Sequence, residues 1–166
     1  MPPPAPTGLV VTCASEQHGA VAFDVDRLLR LWSEPLPDDA AAAAAFRELY
    51  TDPVTVNGAP VPAAGLVVRA RALQAALDRV EREVVHVVEA GDEVAVAFRL
   101  RGRHSGTLST SAGPVPATGE VVELRVIDVL TLTDGRISDI WMVADELGAL
   151  VGTGAVRLAP VPADGG

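Results

Sequence analysis

The sequence predicts an α+β domain with helices first and strands last, and three observations carry that reading. In the first half, apolar residues recur at i, i+3, i+4 and i+7, the period of helices that lie on a core. In the second half the period falls to two, or the runs become continuously apolar, as strands require. Between the last two runs, 121–133 and 136–143, Asp134-Gly135 supplies a dipeptide that accepts positive φ, the mark of a tight hairpin.

Taken in order, residues 1–20 are rich in Pro, Gly and small polar residues and read as a flexible arm. Val25, Leu28, Leu29 and Trp32 form the stripe of a first helix, which Pro35 and Pro37 end. Asp38 or Asp39 offers a cap to the alanine-rich run 40–50, a second helix whose Ala42, Phe46, Leu49 and Tyr50 share a face. A short strand at 54–56 precedes the Asn57-Gly58 turn, and 61–65 reads as loop. The spacing of Leu73, Ala76, Leu77 and Val80 predicts a third helix over 68–83. Strands at 84–88 and 94–101 flank the Gly91-Asp92 turn. The Ser-, Thr-, Gly- and Pro-rich stretch 107–119 is longer than an ordinary hairpin connection and suggests a rim or lid. After the last two strands, Asp145 is placed to cap a short helix at 146–151. The division expected is an arm at 1–20, one domain at 21–155 and a tail at 156–166.

At 166 residues one domain of this kind buries roughly 70% of the surface its unfolded chain exposes, so no metal or disulfide is needed to hold it. The net charge of −9 repels phosphate backbones and anionic lipid, which argues against nucleic-acid and membrane partners. Cys13 is the only cysteine, and the proline-interrupted N-terminus does not read as a secretory signal. A cytoplasmic setting is expected. No two histidines have ligand spacing, so neither a metal nor another cofactor is expected.

One carboxylate stands out. Asp128 is flanked by Val126, Ile127, Val129 and Leu130, where an ionised group is costly without a partner. Strand alternation puts Val126, Asp128 and Leu130 on one face, and Arg125, Ile127, Val129 and Thr131 on the other. Desolvation raises the pKa of a carboxyl group, which suits it to acid/base work or to hydrogen-bond donation in the neutral form. A structural Asp paired with an arginine or with backbone amides is the alternative. Among the histidines, His104 either reaches a ligand at the pocket mouth or sits in a surface turn. His86 is expected half-buried in its apolar strand, and His18 solvated in the arm. Trp32 and Tyr50, with polar tips on apolar bodies, are candidate donors. Arg99, Arg101 and Arg125 fall on the face opposite Phe98, Leu100 and Asp128, a charged outer face or the contact of a homodimer.

The segments GRHSG (102–106), TGEVVELRVIDVLTLTDGRISDIW and DELGAL resemble the SnoaL-like polyketide cyclases of the NTF2-like superfamily, over roughly residues 24–155. VIDV followed by DGRI is also similar to strands of ketosteroid isomerases. The resemblance implies a cone-shaped α+β barrel, three N-terminal helices packed in a curved antiparallel sheet, around one apolar pocket. It puts Asp128 on the acid that donates a hydrogen bond to an enolate oxygen. It puts Met142 where SnoaL-like cyclases carry their acid/base Asp, and Val56-Asn57-Gly58 where the isomerases carry their base. A thioether cannot move a proton, so Asp128 itself becomes the candidate base with Tyr50 as donor. The ligand-binding set expected is Trp32, Phe46, Val56, Phe98, Leu100, His104, Leu130 and Met142. The function implied is a cyclase or isomerase acting on a small apolar polyketide-like or terpenoid-like carbonyl compound. The alternatives are a non-catalytic module for a small hydrophobic ligand, or an epoxide hydrolase.

Overall fold

The computed structural model describes residues 22–157 and residue 159. The arm at 1–20, with Cys13 and His18, and most of the tail lie outside the described residues. Helix α1 (Val25–Ser33) begins where Asp24 Oδ1 accepts the Arg27 N–H at 2.8 Å, and it buries Val25, Leu28 and Leu29. Helix α2 (Asp39–Leu49) is capped by Asp38, which accepts the N–H groups of Ala40 and Ala41 at 3.1 Å each. It runs straight into β1 (Tyr50–Val56). Asn57 and Gly58, both at positive φ, then turn the chain into β2 (Ala59–Val61).

The third helix lies elsewhere than the spacing predicts. Helix α3 spans Ala63–Ala76, so 61–65 is not all loop and 77–83 is not helix. Its N-terminus has no cap of its own: Asp52 of β1 accepts the Ala63 N–H at 3.0 Å while its other oxygen meets Arg47 Nε at 2.7 Å. These donors hold the Asp52 carboxyl below its usual range, the Ala63 hydrogen bond most of all. After α3 comes β3 (Leu77–Ala90), which pairs with β4 (Glu93–His104) in a long hairpin. A bulge between Asp78 and Glu81, with Arg79 at φ 54°, adds one residue to β3. That extra residue turns both Leu77 and Val80 toward the core although they stand three apart, a spacing that mimics a helix.

The 107–119 stretch holds a small separate hairpin of β5 (Leu108–Thr110) and β6 (Gly113–Val115). Its entry passes so close to the end of α3 that a Cβ on Gly106 would sit 2.1 Å from the Ala75 carbonyl oxygen. Strands β7 (Val121–Thr133) and β8 (Arg136–Ala144) flank Asp134-Gly135, with φ of 51° and 74° as a two-residue hairpin turn of this type requires. Asp145 caps α4 (Glu146–Gly152), accepting the Gly148 N–H at 2.9 Å.

The six strands of the main sheet run in the order β2-β1-β8-β7-β4-β3. All neighbours are antiparallel except β1 and β8, which are parallel, and the curved sheet does not close on itself. Helices α1, α2 and α3 fill its concave side. Phe46, Tyr50, Leu66, Ile137 and Leu130 are the largest fully buried members of the main core cluster, and Val25, Leu29, Val96, Phe98 and Val126 belong to a second.

Candidate active site

Strand alternation carries Asp128 to the concave face. Val126, Asp128 and Leu130 are 4%, 8% and 0% exposed, while Ile127 between them is 57% exposed. Across the sheet Asp128 stands opposite Val96 of β4 and Met142 of β8. Its Oδ1 is buried with no hydrogen-bond partner among the described residues. Burial pushes the carboxyl up from 3.8 to about 7, so at neutral pH the group is poised between acid and base.

Tyr50 is 1% exposed at the junction of α2 and β1. Its hydroxyl oxygen accepts the Trp32 Nε1–H at 2.8 Å, and Trp32 in turn is held where Gln74 donates to its carbonyl. Burial pushes the Tyr50 hydroxyl well above its usual range; the Trp32 hydrogen bond opposes this and the Asp128 charge adds to it. Tyr50 therefore keeps its proton. With the oxygen already accepting from Trp32, that proton is the one left to give.

Both groups open into a cavity of about 230 Å³ with an almost wholly apolar wall. Trp32, Val56, Phe98, Leu100 and Met142 line it as the sequence predicts, together with Tyr50 and Asp128. Three expected lining residues are elsewhere. Phe46 lies behind the wall, fully buried, with ring centroids 5.6 Å from both Trp32 and Tyr50. Leu130 shares the Asp128 face but is one step further along β7, sealed at 0% exposure against the α2–α3 core. His104 is also fully buried, so it occupies neither the pocket mouth nor a surface turn. The inward alternation of β4 draws it in, and its Nδ1 faces the Thr118 hydroxyl at 3.1 Å and accepts the Thr118 N–H at 3.4 Å. His86 is exposed on the edge strand β3 rather than half-buried. Asn57 is no base either: its Oδ1 accepts the Met142 N–H at 2.7 Å and its Nδ2 donates to the Met142 carbonyl, tying β1 to β8.

The cavity also uses residues that the sequence argument did not assign to it. Leu28 and Leu29 of α1, Leu66 and Leu73 of α3, and Leu124, Val126, Ile140 and Ala144 complete the apolar wall. The strand members follow from the same alternation that selects Asp128 and Met142. Arg69 and Glu146 supply the remaining charges. Among the described residues no three His, Cys, Asp or Glu side chains group as metal ligands, and no helix is long and apolar enough to cross a membrane.

Helices set into a curved sheet around one apolar cavity with a buried carboxyl define the NTF2-like class of α+β folds. The SnoaL-like polyketide cyclase family model matches residues 25–151, and the chain belongs to that family. Its fold is shared with TsrD from Streptomyces laurentii at TM-score 0.65 and 16% identity, covering 80% of this chain and 92% of that one. A protein from Jannaschia sp. CCS1 assigned to the SnoaL-like polyketide cyclases gives 0.62 at 23% identity, over 83% and 98% of the two chains. A SnoaL-like polyketide cyclase from Agrobacterium tumefaciens gives 0.60 at 16% identity, over 77% and 91%. No curated protein matches the sequence.

Proposed function

We propose that the protein is an acid/base catalyst of cyclisation or isomerisation, acting on a small apolar carbonyl compound through Asp128 and Tyr50. The observation that supports this most is a buried carboxyl oxygen, unpartnered among the described residues, in the same apolar cavity as a proton-holding tyrosine. Ionised Asp128 removes a proton from the carbon next to the substrate carbonyl. The electron pair left behind delocalises onto the carbonyl oxygen, which Tyr50 stabilises by donating a hydrogen bond. In an isomerisation protonated Asp128 returns the proton to another carbon. In a cyclisation the enolate carbon attacks a second carbonyl of the same molecule, and the alkoxide that forms takes the proton. Met142 faces Asp128 as a neutral wall. With no second carboxylate in that place, one residue serves as both base and acid.

Deuterium exchange into beta-tetralone, followed by NMR, tests the reading without knowledge of the natural substrate. The wild type is expected to accelerate exchange, with a rate that rises with pH and levels off above about 7 as Asp128 ionises. Asp128→Asn should lower it by about 100-fold or more, and Tyr50→Phe by about 10- to 100-fold. Binding of the ketone with no exchange at any pH would leave a ligand-binding module instead.

We also propose a homodimer through the convex sheet face. Arg99, Arg101 and Arg125 lie on it, Arg99 paired with Glu83 at 3.2 Å and Arg125 with Asp145 at 2.7 Å. Beside them the cross-strand pairs Ile127–Val143 and Val129–Trp141 form a contiguous apolar patch, with Trp141 and Val143 61% and 74% exposed. Such a patch bordered by paired charges suits a two-fold copy of itself. Sedimentation at micromolar concentration should show a dimer that Val143→Glu converts to monomer; a wild-type monomer throughout would remove the idea.

A further inference from the structure

The cavity contains one cationic side chain, and no step of the acid/base chemistry employs it. Leu66, Arg69 and Leu73 succeed one another at i, i+3 and i+7 on α3, so a guanidinium interrupts the leucine stripe that faces the ligand space. Arg69 is exposed to solvent while Asp128, which lines the same cavity, is buried. Arg69 and Leu73 also line a second pocket with Leu108 and Ser109 of β5, so the exposed Arg69 stands between that pocket and the ligand cavity. Among the described residues Arg69 has no ion-pair or hydrogen-bond partner. The carboxylate nearest in role, Glu146 on the cavity wall, is engaged elsewhere: its Oε2 accepts the Ser111 N–H at 2.9 Å and the Ser111 hydroxyl at 2.5 Å.

We infer that Arg69 anchors a carboxylate at the mouth, so that the substrate is an apolar carbonyl acid whose anionic end stays near solvent while its enolisable end reaches Asp128 and Tyr50. The inference rests on the acid/base reading for the buried end only. An anion cannot settle deep in the cavity, where ionised Asp128 repels it, so a charged ligand enters in one direction. That fixes which carbonyl meets Tyr50. A guanidinium fork reads carboxylate and phosphate alike. With Glu146 on the wall and a chain charge of −9, a doubly charged phosphate meets more repulsion than a carboxylate.

The test compares hydroxynaphthyl propanoic acid, its methyl ester and the corresponding phosphate monoester at pH 8, read by quenching of Trp32 in a Trp141→Phe background. The acid is expected to bind about tenfold tighter than the ester. Arg69→Gln should cost the acid about tenfold and the ester less than twofold, and Arg69→Lys should keep part of the preference. Equal binding of acid and ester to the wild type, or equal weakening of both by Arg69→Gln, overturns the anchor. Tighter binding of the phosphate overturns the carboxylate assignment. If the ester binds and responds to Tyr50→Phe but the acid shows no preference, the anchor fails and the acid/base reading stands. If none of the three binds, both fail.

Discussion

Replacing Asp128 by Asn should stabilise the protein above neutral pH and leave it unchanged near pH 4. The sign follows from linkage: the folded carboxyl titrates at about 7 and the unfolded one near 3.8, so between those values the folded state holds the extra proton. Stability due to the protonated acid is present below pH 4 and is lost as pH rises to about 7. The difference between titration at 3.8 and at about 7 corresponds to about 4 kcal/mol, an upper bound because the fold relaxes around the charge. An amide of the same shape escapes this loss and, like the neutral acid, keeps a polar group without a partner, so a gain of about 2 kcal/mol, half the bound, is expected at pH 8. Asp128→Leu, which also removes the orphaned polar atom, should gain more. Urea unfolding of wild type and variants from pH 4 to 8 measures the difference, in which other carboxylates cancel. That subtraction matters because Asp52, held low by its donors, stabilises above pH 4 and works in the opposite sense. A difference that does not change with pH would show that Asp128 is not the desolvated group inferred here. Loss of proton exchange in a variant that has become more stable would separate function from folding, as expected where an active site carries strain for chemistry.

Much of this site is legible in the chain because strands have a two-residue period. Once Asp128 is placed on the inner face, Val126, Phe98, Leu100 and Met142 follow by alternation and register. The helix caps at Asp145 and at Asp38, one of the two residues the sequence offers there, are local and appear where the sequence puts them. What escaped are features made by residues distant in sequence. The start of α3 depends on Asp52, eleven residues earlier and on another element. The β3 bulge gives Leu77 and Val80 a helix-like spacing, so the periodicity was present but had a different cause. Alternation marks His104, Leu130 and Asp128 as inward-facing, yet it says nothing of how far along the strand the cavity ends. Arg69 carries no local signal at all, since a charge on a helix usually marks the solvated face.

Phe46→Ala is expected to be among the most damaging single changes, because the residue supports the site without touching the ligand space. Its ring is fully buried, set edge-on to Trp32 at 86° and tilted 37° to Tyr50. Neighbouring Ala42 and Ala43 are too small to fill the space an absent ring leaves. Truncating a packed phenylalanine costs about 3–5 kcal/mol, of which part is the cavity left behind. Here the cavity would open on the rear of the Trp32–Tyr50 pair. The 2.8 Å hydrogen bond that fixes the Tyr50 hydroxyl then loses its backing, and affinity for a naphthol should fall alongside stability. Phe46→Leu fills most of the volume and should lose less of both. Urea unfolding and naphthol titration of the two variants provide the measurement. Had Phe46 lined the ligand cavity, as its place on the α2 face suggested, Phe46→Ala would enlarge the pocket, cost little stability and favour bulkier ligands. That opposite pattern would move the floor of the site to the other side of the Trp32–Tyr50 pair.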